Sequence, residues 1–363
     1  MRIALFSPVW FPVPPTRYGG IEAVVHLLAD GLVDAGVDVT LFASGDSETK
    51  AELVSAFDTA PSEYIGHSYW ELQHLLPFLA LRDEFDLVHD HSGLLGLTVF
   101  GLTPTPTLHT VHGPLTGEPG EVYERVCAAV DGIGLVSLTR NQRRPCPELP
   151  WVANVNNAID VSRYLFDRDP GESLLFLGRM SPDKGAHRAI RIARQVGRPL
   201  KIAAKCREPG EIAYFEEHVE PHLDDQIVYV GEVGHDAKCE LLAKAHALVV
   251  PIEWEEPFGL VMIEALACGT PVIAMRRGSV PEILDHGRTA FVADDLAGMV
   301  AAVDRAVELD PADLRAAAVA RFSVEQMVDG YIAAYESMIA GGRPADELIA
   351  DLQPDLSVLS TSP

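Results

Sequence analysis

Glu256 and Glu264 stand eight residues apart around Phe258-Gly259-Leu260, with a Cys-Gly-Thr-Pro turn and an apolar strand pattern after them. On a helix, eight residues rise about 12 Å and return to within about 80° of the same face. Two carboxylates so placed could hold hydroxyls at two ends of one ligand. Pro257 suits a first helical turn, which puts Glu256 just outside the helix and Glu264 within it. A plainer reading also stands, in which Glu256 favours a helix N-terminus and Glu264 is solvated. The backbone amides of Phe258, Gly259 and Leu260 would be offered to a ligand at the helix start.

Cations lie elsewhere in the chain. The run Gly178-Arg179-Met-Ser-Pro-Asp-Lys184-Gly185 follows a strand pattern and opens a helix pattern. A lysine at a helix N-terminus is unfavourable unless an anion is bound there, so Arg179 and Lys184 read as a clamp for a diphosphate. The alternative is a surface loop with a salt-bridged arginine and a solvated lysine. Lys205 ends the next strand pattern and could add positive charge, and Val233 lies in the turn Gly231–Gly234 after another. In the first half, Tyr18-Gly19-Gly20-Ile-Glu22 follows a proline-rich loop, and paired glycines permit close backbone approach to a phosphate or sugar. His109 and His112 end a strand pattern before Gly113, and Asp90 ends another between His89 and His91. These histidines could orient hydroxyls, or serve only the strand ends. A metal site is not read from them, because no matching carboxylate and third-ligand spacing accompanies them.

The elements that must position these residues follow from periodicity. Strand patterns at 3–7, 38–43, 86–90, 107–111, 134–137 and 151–154 alternate with helical patterns at 21–35, 68–82 and 121–129. After a pause near 158–172 the alternation restarts, with strands at 174–177, 200–204, 227–230, 247–251 and 271–275. The helices between them fall at 185–196, 212–222, 236–245 and 258–268. Such alternation predicts α/β architecture with two doubly wound, Rossmann-like parallel sheets and ligands at the carboxyl ends of the strands. The expected division is 1–160 and 161–322, followed by a long amphipathic helix over 323–341 and a polar tail, 342–363, read as disordered.

Composition sets outer limits. The 363 residues suffice for two domains, and the formal net charge of −25 repels nucleic acid and anionic lipid. No run of about 18 apolar residues suggests a membrane span, and the N-terminus reads as a buried strand rather than a leader. Five cysteines without a C-x-x-C pair suit a reducing cytoplasm. Oligomeric state leaves no mark in the sequence.

The pair of glutamates resembles the E-x7-E signature of retaining glycosyltransferases of family 4, which have the GT-B fold: two Rossmann-like domains facing across a cleft. Gly178-Arg179 through Lys184-Gly185 resembles that family's phosphate-binding segment, and Gly19-Gly20-Ile-Glu22 looks like its GGxE element. The segment Arg277–Glu282 resembles its G-x-x-P-E turn, read as structural. The resemblance spans roughly residues 1–340 and is strongest over 174–292. It implies a nucleotide-sugar donor on the second domain, UDP-linked by preference over GDP-linked, and a front-face transfer without bound metal or cofactor. Glu256 would hold sugar hydroxyls and Glu264 ribose hydroxyls. Arg179 and Lys184 would stabilise the departing diphosphate. Gly19, Gly20, Lys205, Val233, Phe258, Gly259 and Leu260 would line the donor. His112, with His109 second, would face the sugar or the acceptor, and Tyr18 and Asp90 would help bind an acceptor that is a small molecule, a glycan or a lipid-linked group. The last helix would cross back onto the first domain. A phosphorylase or epimerase of the same fold, or a non-catalytic nucleotide-sugar-binding subunit, are the alternative expectations.

Overall fold

The computed structural model describes residues 1–166 and 171–341. The expected tail, 342–363, and part of the expected polar boundary segment, 167–170, lie outside the described residues. Two compact units are present. Among the described residues, the first comprises 1–14, 21–156 and 324–341, and the second 15–20, 157–166 and 171–323.

The first unit holds a seven-stranded parallel sheet: β1 (Arg2–Phe6), β2 (Asp38–Phe42), β3 (Glu52–Val54), β4 (Leu87–Asp90), β5 (Thr107–Thr110), β6 (Ile133–Ser137) and β7 (Trp151–Asn154). Their spatial order is β3-β2-β1-β4-β5-β6-β7. Strands β1 and β4 are buried along almost their whole length, as expected of strands covered on both faces. Phe6, Phe42, Phe78, Phe85 and Phe100 pack with Ala4, Leu75 and Val88 into one core cluster. Phe6 stacks on Phe42 with ring centroids 4.2 Å apart. The final helix, Val324–Ile339, buries Met327, Val328, Tyr331, Ala334 and Tyr335 in this unit.

The second unit holds a six-stranded parallel sheet: β8 (Leu174–Arg179), β9 (Leu200–Lys205), β10 (Ile227–Gly231), β11 (Ala247–Val250), β12 (Val272–Met275) and β13 (Ala290–Ala293), in the order β10-β9-β8-β11-β12-β13. Strands β3 and β13, at the edge of each sheet, are additional to the sequence expectation. β3 has only three residues, none of them buried, while β13 is a buried apolar run of four, as long as β4 and β5, that the sequence reading passed over after 271–275. The division falls between Asn156 and Asn157, four residues before the expected position, because Ile159 already donates its amide to the Phe322 carbonyl of the second unit.

Both sheets are doubly wound. Strand order reverses between β1 and β4 in the first and between β8 and β11 in the second. Ligands of such sheets bind beyond the carboxyl ends of the strands at the reversal.

Candidate active site

In the second unit, β8 delivers Arg179 and the following turn delivers Lys184. Gly185 then adopts φ 83° and the helix Ala186–Val196 begins. A side chain at Gly185 would strike the Pro251 carbonyl and the Arg188 guanidinium. Arg188 in turn ties this turn to the next strand end, donating to the carbonyls of Pro251 at 2.7 Å and Pro182 at 2.9 Å. From β11 the chain runs through Pro251 to Trp254 and Glu256. The carboxylate Oε2 of Glu256 accepts from Lys184 Nζ and, at 3.0 Å, from Trp254 Nε1. Lys184 Nζ also stands 4.3 Å over the Trp254 ring, a cation–π contact. Arg179 lies 3.6 Å from Asp183 and is more exposed. Residues brought from opposite sides of the strand reversal thus meet in one ion-paired group.

The helix after Glu256 differs from expectation. It spans Leu260–Ala267 rather than 258–268, with Gly259 as its N-cap at φ 83°. Pro257 therefore precedes the helix instead of occupying its first turn, because the left-handed glycine breaks the backbone between them. Glu256 is a loop residue and Glu264 a buried helical one, 6% exposed. Gly278, at φ 53°, lies against the backbone of Glu255 and Glu256. Its amide donates to Glu255 Oε2 at 2.9 Å, and the Ser279 amide donates to the Glu256 carbonyl at 2.8 Å. Phe258 is a core residue, edge-on to Phe322, and its carbonyl accepts from Ser279 Oγ.

Glu264 Oε1 accepts from Tyr164 Oη at 2.9 Å and from Lys238 Nζ. Lys205, at the end of β9, is 5% exposed and ion-paired with both Glu208 and Glu211. Its positive charge is compensated within the fold. Residues 15–20 belong to this second unit, not to the first as expected from sequence. The Tyr18 amide donates to Glu232 Oε1 at 3.1 Å, and its ring lies 5.2 Å from Lys205 Nζ. Gly19 has φ 149°, and a methyl group at Gly20 would lie 3.3 Å from Leu260. Val233, half-buried, precedes the Gly234 N-cap of the helix His235–Ala243.

The first unit carries the histidines. His109 is buried between Asp90 Oδ2 at 2.7 Å and the Tyr123 hydroxyl at 2.9 Å. Asp90 Oδ1 also accepts from the Ser92 amide and hydroxyl. Two of the four expected acceptor-side residues, His109 and Asp90, are therefore fully engaged inside the fold. His112 is half-buried and shares a 2.8 Å hydrogen bond between its Nε2 and Nδ1 of His91, which the sequence placed beside Asp90 without a site role. His89 bridges the Tyr335 hydroxyl at 2.7 Å and Thr110 at 2.9 Å, and Thr110 bonds Tyr331 at 3.0 Å. Burial pushes His112 down to about 3 and His74 to about 4, and lowers His89 and His91 well below the ordinary histidine value. All four are neutral near pH 7. Among the described residues no three His, Cys, Asp or Glu side chains are grouped to hold a metal ion. No described helix is long and apolar enough to cross a membrane.

Tyr164, Lys238 and Trp254 escaped the sequence reading. Trp254 stood two residues from Glu256 and could have been found. Tyr164 and Lys238 are 100 and 26 residues from Glu264 and belong to no local motif.

Residues 171–308 match the family described as glycosyl transferases group 1, and residues 18–140 match glycosyltransferase family 4. The chain is 28% identical to glycogen synthase of Mycobacterium tuberculosis over 86% of its own length and 87% of that protein's. Its fold matches AviGT4, a glycosyltransferase involved in avilamycin A biosynthesis, with a TM-score of 0.70 and 25% identity over 94% of this chain and 99% of that one. It also matches Anabaena HepE, solved in complex with UDP and glucose, with a TM-score of 0.73 and 17% identity over 93% and 100% of the two chains. With two doubly wound sheets and these matches across both halves, the chain belongs to the family 4 glycosyltransferases of GT-B fold and is a glycosyltransferase enzyme.

Proposed function

We propose that the protein transfers a sugar, with retention of anomeric configuration, from a nucleotide-sugar to a hydroxyl acceptor. The observation that carries this reading is the group formed by Lys184, Glu256 and Trp254 at the strand reversal of the second sheet. It offers a cation for phosphate oxygens beside a carboxylate that accepts from sugar hydroxyls. Lys184 pairs with Glu256, so a diphosphate bound there exchanges one anionic partner of Lys184 for another and frees Glu256 for the sugar. We favour a UDP-sugar, in keeping with the UDP and glucose held by the HepE structure.

In front-face transfer the bond between the anomeric carbon and the phosphate oxygen breaks as the acceptor hydroxyl bonds to the same face of that carbon. The hydroxyl proton passes to the departing phosphate oxygen. Charge develops on the diphosphate, and Arg179 and Lys184 are assigned to stabilise it, the largest electrostatic demand of the step. The two cations take the part that a metal ion takes elsewhere, so we propose metal-independent activity. Glu264 is assigned to the ribose. His112, a neutral imidazole, is assigned a hydrogen-bonding role toward sugar or acceptor hydroxyls. Five free cysteines fit a cytoplasmic location.

Thermal unfolding with UDP, GDP, ADP and dTDP, each with EDTA, tests the donor site. At a hundredfold excess over Kd, the matching nucleotide adds about 2.7 kcal/mol, and Glu264→Ala abolishes the gain. Absence of stabilisation by every nucleotide would sink the assignment. The anomeric configuration of product sugar, read by NMR, tests retention.

A further inference from the structure

Glu264 is a buried carboxylate with two oxygens in different situations. Oε1 accepts from both Tyr164 Oη, at 2.9 Å, and Lys238 Nζ. Among the described residues no hydrogen bond or ion pair engages Oε2. A carboxylate is acceptor-only and has lone pairs to spare on each oxygen. Two donors on one oxygen fix the rotation of the group and leave the other oxygen oriented and open to a ligand.

The two donors come from different elements and are themselves held. Tyr164 follows the short turn Val161–Arg163 and is 7% exposed. Its ring lies edge-on to His235 at 5.1 Å, and its carbonyl accepts from Arg315 at 3.0 Å. Burial and the adjacent Glu264 push its phenol well above the ordinary tyrosine value, so the hydroxyl remains a donor throughout the working pH range. Lys238 projects from the helix His235–Ala243 and supplies the opposite charge that a buried carboxylate requires. It is partly exposed and lies in no local pattern with Glu264.

We propose that Tyr164 and Lys238 are positioning residues that grip one oxygen of Glu264 and aim the other at the 2′,3′-diol of a nucleoside diphosphate, making the site selective for ribose over deoxyribose. This rests on the assignment of Glu264 to the donor ribose. A purely structural ion pair would hold the two helices together without distinguishing sugars.

Calorimetric titration with UDP and GDP, each paired with its 2′,3′-dideoxy form, separates the possibilities. Wild type is expected to prefer the ribose form of whichever base it accepts by about tenfold or more, the size of a hydrogen bond to a charged group. Lys238→Met and Tyr164→Phe are expected to shrink that preference toward unity while leaving dideoxy affinity within about twofold. Lys238→Arg, which restores the charge and a donor, is expected to recover most of it. Variants that keep the full ribose preference, or that weaken ribose and dideoxy forms in equal proportion, would overturn the positioning role while leaving Glu264 on the ribose. Wild type that binds no diphosphate, or binds both forms equally, would instead remove Glu264 from the ribose and the proposal with it.

Discussion

The two sheets solve the same topological problem with opposite chemistry at their strand reversals. At the carboxyl ends of β1 and β4, Ser7, His74 and His91 are buried and uncharged, His74 Nε2 bonds the Ser7 carbonyl at 3.0 Å, and the one carboxylate there, Asp90, is buried against His109. At the ends of β8 and β11, Arg179, Lys184 and Glu256 carry charge and are only partly buried. Each arrangement suits its surroundings. A chain of net charge −25 must gather cations locally to receive a diphosphate. A neutral cluster of imidazoles offers hydrogen bonds without attracting or repelling charge. Under the proposed roles, one architecture, present twice, divides anion handling from hydroxyl handling.

The comparison breaks most visibly if the charged reversal is neutralised. Lys184→Ala is expected to reduce kcat by roughly 10²–10³-fold, the effect of removing one donor from a preorganised electrostatic site, with the circular dichroism spectrum unchanged. Near-normal turnover would mean that charge at this reversal does not serve the transfer.

A smaller effect comes from the support behind it. Gly278→Ala would force a methyl group into the Glu256 backbone from a left-handed φ of 53°. A cost of about 1–3 kcal/mol in stability is expected, together with a fall in turnover, since Glu256 and hence Lys184 must move. Unaltered kinetics with lowered stability would separate the fold of this loop from its chemistry.

The neutral reversal is sharpened by pH. His74 is lowered to about 4 in the folded protein against an ordinary value of 6.5, so the unfolded chain binds more protons below pH 6.5. Its contribution to stability is therefore fully present above pH 6.5 and is lost as pH falls from 6.5 toward 4. Urea unfolding in a Trp254→Phe background, where Trp10, Trp70 and Trp151 report the first unit, should show stability falling over this window. His74→Gln should relieve the fall by up to about 1.4 kcal/mol per pH unit, the worth of one proton. An identical slope in the variant would mean that His74 is not held neutral by the fold.

Much of this was legible beforehand, and the reasons are physical. Eleven strands follow from mostly buried apolar runs, whereas β3 has only three residues, none of them buried, and β13 follows the last strand that the alternation marked. Arg179, Lys184 and Glu256 stand in local motifs next to strand ends, where chemistry and spacing coincide. The left-handed break at Gly259 was missed because Pro257 alone suggested an earlier helix start. Lys205 looked like a free cation because its partners, Glu208 and Glu211, fold back through a capping turn. The grip on Glu264 was invisible for a different reason: Tyr164 reaches it across 100 positions of chain, and only tertiary structure joins them.

Tyr331 and Tyr335, from the last described helix, close hydrogen bonds with Thr110 and His89 of the first unit. A side chain at Gly31 would meet Val324 and Val328 of the same helix. The second unit is complete by residue 323, but the first lacks part of its core until residues 324–339 have been made. On a ribosome, where domains ordinarily mature from the N-terminus, the order of completion is therefore inverted: the unit whose sheet is made earlier is completed after its neighbour, and the apolar residues that Met327, Val328, Tyr331, Ala334 and Tyr335 pack among wait for residues 157–323 to be made first.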